Sequence, residues 1–218
     1  MGFAPDKAYP IIKRLAQVEN PDGDVLFMLS QYYINGVIVE EDTTEGLRLL
    51  KEAAQKDSVE AMYNLGVIYE YGQLGLEHNI ETAVKYEKGS AKEDADCMIN
   101  LGCILEQSEE YPHDYARAFE LYLKAADKGN GRAYNNLGTC YKRAIGTAKD
   151  AKKAIECYEK AIEKGCQEGY WNLYLYYMDE VCTPRDFTKA VEWLKKGDQA
   201  DVLQCTYQLT KHYMHGDG

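Results

Sequence analysis

Four histidines, seven cysteines and nineteen tyrosines are the residues here whose side chains could do chemistry. His212 and His215 lie three apart, so one helix face would carry both, and two imidazoles can touch one metal ion. No third ligand is near. Both are expected in solvent, and no metal or cofactor is expected. His78 and His113 fall in predicted loops and read as surface polar groups. The cysteines are Cys97, Cys103, Cys140, Cys157, Cys166, Cys182 and Cys205. A cysteine nucleophile needs a histidine partner and a lowered pKa, and none of these lies near a histidine in sequence. Their number is odd and no pair forms C-x-x-C. Several stand at small-residue helix positions, where a reduced thiol acts as a compact apolar group. That points to a reducing, intracellular and cytoplasmic setting. Gly72-Gln73-Leu74-Gly75 is too short and misplaced for a phosphate loop. The carboxylates read as solvated helix faces. No catalytic set emerges, and an enzyme is not expected.

The 218 residues carry a net charge of −11, which makes the chain a poor general binder of nucleic acid or anionic lipid. No apolar run approaches the roughly 20 residues that span a bilayer. Met1-Gly2-Phe3-Ala4-Pro5-Asp6 lacks the charged start and apolar run of a secretory signal. Asp6 also stands where a myristoylation pattern wants Ser or Thr.

What must position these side chains is a repeat. Leu29, Leu65, Leu101, Leu137, Leu173 and Leu209 follow one another at intervals of 36 residues. A fixed period of this length predicts stacked helix pairs, each too small to bury its own apolar face. Residues 1–23 read as a lone second helix, helix B, with Pro10 near its start. Full pairs follow at 24–58, 59–94, 95–130, 131–166 and 167–201, and residues 202–218 give a lone first helix, helix A. Thr43 or Thr44 is the expected cap of the first full helix B. Gly129 and Gly165 suit the turn that closes a pair, and Asn130 suits the cap of the next helix. The pair at 59–94 has one extra residue in its inner loop, between Gln73 and Asn79. Position 61 and its equivalents are small, and position 66 is glycine in three of six units, which permits close helix approach. Tyr86, Tyr122 and Tyr158 are assigned one column and read as core fillers.

The pattern A-x-x-x-L-G-x-x-Y, a variable loop, then K-A-x-x-x-Y-x-K-A-A-x-x-G resembles the Sel-one-like repeat (SLR), a relative of the tetratricopeptide repeat. Gly131 to Tyr141, Lys153 to Ala161 and Ala118 to Gly129 carry it most closely. The resemblance implies an all-α, right-handed α/α superhelix, a solenoid of stacked antiparallel helix pairs. It further implies a non-enzymatic adaptor or scaffold that holds a protein or peptide segment in its concave groove. A structural self-assembly module of a larger protein, or a repeat-based hydrolase, are the alternative readings. Secreted relatives use regularly spaced disulfides, and that spacing is absent here. Departures are Ser30 and Tyr174 in place of the glycine beside the leucine, and Asp57, Glu93 and Asp201 in place of the closing glycine.

Before the organising leucines stand Met28, Asn64, Asn100, Asn136, Asn172 and Gln208. Asparagine is a mediocre helix former, so propensity does not explain the ladder. In the tetratricopeptide relatives the matching asparagine bonds a bound peptide backbone. The resemblance implies that use here; bonding between neighbouring repeats is the alternative. Tyr63, Tyr71 and Trp171 join Asn64, Asn100, Asn136 and Asn172 as the expected groove residues. The first unit would add Asp24, Phe27, Gln31 and Ile34, the third Asp96, Ile99, Cys103 and Glu106. Arg132, Lys142 and Arg143 share a helix face in the fourth unit, with Lys149, Lys152 and Lys153 close by. They form an expected site for an acidic or phosphorylated segment; pairing with acids such as Glu106 or Glu168 is the alternative. Self-association through residues 202–218 is the other expected contact.

Overall fold

A computed structural model of the protein describes residues 5–90, 94–179 and 185–215, without the side chains of Ser90 and His215. Among the described residues there are twelve α-helices and no strand. The first, α1 (Pro5–Leu15), holds the place of a helix B. Five A–B pairs follow: α2 (Gly23–Asn35) with α3 (Thr43–Gln55), α4 (Val59–Tyr71) with α5 (Ile80–Ser90), α6 (Ala95–Gln107) with α7 (Tyr115–Asp127), α8 (Gly131–Arg143) with α9 (Ala151–Glu163), and α10 (Glu168–Met178) with α11 (Phe187–Gln199). The last helix A is α12 (Leu203–His215). Glu93 and Cys182 lie outside the described residues, as do residues 1–4 and 216–218.

The helix B of each of the five pairs starts on the same device. The side chains of Asp42, Asn79, Asp114, Asp150 and Asp186 accept the N–H three residues on, at 2.8–3.0 Å. Asp42 is therefore the first cap, and Thr43 is already inside the helix. A carboxylate there takes a backbone N–H that the helix itself leaves unbonded. Asn130 caps α8, accepting from Arg132 and Ala133. Gly129 and Gly165 close their pairs at φ 83° and 84°, and Asp57 and Asp201 adopt the same left-handed conformation at 60° and 58°. The aspartates thus keep the turn that glycine makes elsewhere. Pro10 lies well inside α1 rather than near its start.

The chain divides into two compact units, Met1–Leu101 and Gly102–Gly218. In the first, Leu26, Leu29, Leu49, Leu50, Ala53, Ala61, Leu65 and Ile68 form one buried cluster. In the second, Ala154, Tyr158, Leu173 and Tyr176 form one cluster, and Tyr174, Ala190, Val191, Leu194, Cys205 and Leu209 another. Burial of these alternating leucines, alanines and tyrosines is the main force holding the pairs together.

Side-chain size is matched between helix A and helix B. A β-carbon added to Gly102 would stand 2.6 Å from the Tyr122 ring, and one on Gly138 would stand 2.6 Å from Tyr158. Where Tyr174 replaces the glycine, helix B offers the smaller Leu194 in the same cluster. Ser30, fully buried, turns its hydroxyl onto the Phe27 carbonyl at 2.6 Å.

The assignment of Tyr86 to the tyrosine column needs correction. Asn79 stands 37 residues after the cap Asp42 and 35 before the cap Asp114. Counted from the caps, the place of Tyr122 and Tyr158 belongs to Glu87, which packs on Gly66. Tyr86 is turned aside and stacks on Tyr69, ring centroids 5.9 Å apart. The extra loop residue advances α5 by one, which a count from leucine to leucine does not register. His212 also departs from expectation: it is buried, with Nε2 3.3 Å from the Tyr174 hydroxyl and its ring edge-on to Phe187. It shares the inner stripe of α12 with Cys205 and Leu209, at i, i+4 and i+7.

Candidate binding face

In the N-terminal unit, α4 presents Tyr63, Asn64, Glu70 and Tyr71. Tyr71 is 65% exposed, and its hydroxyl is bonded to Glu70. Asn64 is half-buried and donates to the Glu60 carbonyl of its own helix at 2.8 Å. Asn100 donates to the Tyr63 hydroxyl at 3.3 Å, from one helix A to the one before. Ile99, expected in the groove, is fully buried, as an apolar side chain at that place gains most by leaving water. Burial, with Glu70 and Asp94 nearby, pushes Glu87 up to about 8. Desolvation also raises Glu70.

In the C-terminal unit the ladder continues. Asn136 Nδ2 donates to Cys103 Sγ at 3.7 Å, and Asn172 Nδ2 to Asn135 Oδ1 at 2.7 Å. Gln208 donates to the Tyr174 hydroxyl at 3.2 Å. The amide N–H groups of Asn100, Asn136, Asn172 and Gln208 thus tie successive repeats. Asn136 and Asn172 are half-buried, and each retains a carbonyl oxygen that can accept. Trp171 is half-buried and leans on Tyr174, centroids 5.0 Å apart. Glu106, expected on the open face, is buried and accepts from the Tyr122 hydroxyl at 2.9 Å.

The basic group is not assembled as expected. Lys142 forms a partly buried ion pair with Asp179 at 3.0 Å, so it is no open anion reader. Partial burial favours that pair, since an unpaired ammonium would be costly there. Lys153 pairs with Asp150 and Lys152 with Glu156. Arg132 and Arg143 remain exposed. Arg132 acts on Glu168, whose pKa is lowered first by its bond from the Cys166 thiol and also by this guanidinium.

The thiols are those of a packed interior. Burial raises Cys103, Cys157 and Cys205, and pushes Cys140 and Cys166 up to about 12. Neutral thiols are poor nucleophiles. Cys97, Cys103, Cys140, Cys157, Cys166 and Cys205 form no disulfide. Among the described residues no group of three or more His, Cys, Asp or Glu could hold a metal, and no helix is long and apolar enough to cross a membrane.

No curated protein matches this sequence. A Sel1 repeat protein from Oxalobacter formigenes superposes with a TM-score of 0.80 at 25% identity, covering 97% of this chain and 85% of that one. A protective antigen of uropathogenic Escherichia coli strains displaying an SLR fold superposes at 0.79 and 24% identity, covering 96% of this chain and 44% of that one. The Sel1 repeat family model matches residues 24–58, 59–86, 95–130, 131–166 and 169–197. Its second match stops one residue before Glu87, where the columns part. The helix pairs, their period and these matches carry one conclusion: the chain belongs to the Sel1 repeat family, whose members are helical solenoids that generally act as protein-interaction scaffolds.

Proposed function

We propose that this chain is a non-catalytic scaffold whose helix-A face holds an extended segment of a partner protein. The observation that carries the reading is a contrast along helix A. The columns that face helix B are buried and size-matched, while beside the repeated asparagine the adjoining columns vary in residue type from repeat to repeat and leave many of their side chains half-buried or exposed. In the C-terminal unit that variable set is Arg132, Asn135, Thr139, Arg143 and Trp171, beside the ladder residues Asn136 and Asn172. Fixed frame and varied face are what selective recognition requires. The free oxygens of Asn136 and Asn172 accept backbone N–H groups of the segment, and Trp171 packs an apolar side chain. In the N-terminal unit Asn64, Tyr63 and Tyr71 serve the same ends, with Asn100 beside Tyr63.

The segment is acidic or phosphorylated at two separate places. Arg132 and Arg143 are eleven residues apart on one helix, roughly 16 Å along its axis, or about five residues of extended chain. One anion cannot bridge them, and each guanidinium takes its own carboxylate or phosphate. The test is the double charge reversal Arg132→Glu with Arg143→Glu, titrated against a captured partner. Folding is expected to persist because both side chains are exposed. Affinity is expected to fall and its salt dependence to flatten; unchanged affinity and slope in a folded variant rule out the two-anion reading. Contact with another chain through α12 belongs to the same scaffold role: Leu203 and Met214 are 83% and 79% exposed.

A further inference from the structure

Within the C-terminal unit, α9, the start of α10 and the end of α11 frame an open groove of about 490 Å³. Glu159, Ile162 and Glu163 of α9 line one side, Trp193 and Lys196 of α11 the other, and Tyr170 of α10 lies between them. Close packing holds α10 in place there. A β-carbon on Gly169 would stand 2.7 Å from Ile162 Cγ1, and one on Gly197 would stand 3.2 Å from Tyr170 Cβ. Tyr170 and Trp193 are half-buried, ring centroids 6.3 Å apart, and each packs on a core cluster while also lining the groove. The groove lies between consecutive helices B, both of them described, rather than at either end of the chain. None of these residues belongs to the helix-A face described above.

Two features of this groove select a cation. Lys196 already places its Nζ 3.8 Å from the Trp193 ring centroid, so that face of the indole is open to a positive charge. Glu159 and Glu163 stand four apart on one face of α9, both exposed, and neither has an ion-pair partner among the described residues. The combination is not a by-product of the repeat. The caps Asp114, Asp150 and Asp186 follow at one period, so the places of Glu159, Glu163 and Trp193 are held one repeat back by Leu123, Asp127 and Cys157. The lysine is kept there as Lys160, over Tyr134 at 5.7 Å, but one acid and the indole are gone.

We propose that the groove between α9 and α11 binds an arginine side chain of a partner protein, its guanidinium lying on the Trp193 face that Lys196 covers and bonding to Glu159 and Glu163. A planar guanidinium can lie flat on the indole and direct its edge N–H groups to the carboxylates at once, and it sheds water more readily than an ammonium. Lys196 is exposed and sits on a flexible stem, so it swings into solvent as the arginine enters. The exchange is cation for cation on the ring. The gain lies in the charge-assisted bonds to Glu159 and Glu163, which Lys196 does not make. The site is the chemical inverse of Arg132 and Arg143 on the helix-A face and depends on neither.

The test is an NMR titration of the full chain, labelled with nitrogen-15, with the capped peptide acetyl-Gly-Ser-Arg-Ser-Gly-amide. The chain has two tryptophans, and Trp193→Phe assigns their indole N–H signals. The Trp193 signal is expected to shift saturably while that of Trp171 stays in place. The same peptide with citrulline, neutral and of similar shape, is expected to move neither. A lysine peptide is expected to bind about threefold more weakly. Glu159→Gln with Glu163→Gln is expected to raise Kd about fivefold or more. Lys196→Ala vacates the ring and is expected to lower Kd about twofold. All three side chains are exposed, so helix content is expected to persist. Four results each overturn the proposal: no saturable shift at Trp193, a citrulline or lysine peptide that binds like the arginine one, a glutamine double variant that binds like the parent, or a Lys196→Ala chain that binds no more tightly. Arg132 and Arg143 are untouched throughout, so this reading and the helix-A reading can fail separately.

Discussion

Glu87 packs against Gly66 in the space that a tyrosine fills in the next two repeats: a β-carbon on Gly66 would stand 2.6 Å from Glu87 Oε1. The carboxyl is fully buried, and burial with Glu70 and Asp94 raises its pKa from 4.5 to about 8. Below the ordinary value both folded and unfolded chains hold the proton, and the site is neutral in its effect. Between 4.5 and about 8 the folded chain holds a proton that the unfolded chain has released. Stability therefore falls as pH rises through that window. Glu87→Gln is expected to flatten the slope and to raise the urea midpoint at neutral pH. Parallel midpoint-against-pH curves for the two proteins would contradict the burial of a titrating acid.

Size matching across the pair gives a second expectation. Gly138→Leu forces a branched side chain against Tyr158 and should cost about 1–3 kcal/mol. Gly138→Tyr with Tyr158→Leu copies the arrangement of Tyr174 and Leu194. The double variant should be more stable than the sum of its single changes allows. A coupling energy near zero in urea denaturation would mean that the two columns do not compensate.

Asp57 holds a left-handed conformation at φ 60°, which a β-carbon disfavours. Asp57→Gly should raise the thermal midpoint by the equivalent of roughly 0.5–1 kcal/mol, less whatever flexibility glycine adds to the unfolded chain. A lower midpoint would show that the carboxylate itself holds the turn.

The ladder can be tested for its two roles separately. Asn172→Ala removes the 2.7 Å bond to Asn135 and should cost about 0.5–1.5 kcal/mol. Asn172→Asp keeps an acceptor oxygen but loses the amide donor. It should share most of the stability loss while still accepting from a bound backbone. If the two variants bind a captured partner equally weakly while remaining folded, the oxygen plays no part in recognition.

The helix pairs were legible because Leu29, Leu65, Leu101, Leu137, Leu173 and Leu209 repeat without slip, and burial enforces that column. The ladder was legible as a column for the same reason. What its amides bond was not: Asn100 finds a tyrosine hydroxyl and Asn136 a thiol, depending on what the previous repeat offers. Lys142 illustrates the same limit. Its partner Asp179 lies 37 residues on, at the far end of the next helix A, and composition around Lys142 alone suggested an open basic patch. Glu87 was missed for a different reason. Leucine spacing reports helix A, whereas the orientation of helix B is set at its cap, and Asp42, Asn79 and Asp114 carry the signal.

The uneven caps of the second pair also constrain how such an array can change length. One residue turns a helix by about 100°, enough to bring an acid to the inner column and move a tyrosine to the edge of the core, as with Glu87 and Tyr86. The slip is undone before α6: Asp94, which accepts from Cys97 N–H, stands one period after Ser58, the cap of α4. The sequence period of helix A is thereby restored at α6. The extra residue before α5 is thus matched by a missing one before α6, and the repeat keeps a kind of reading frame, reckoned in degrees of rotation rather than in codons.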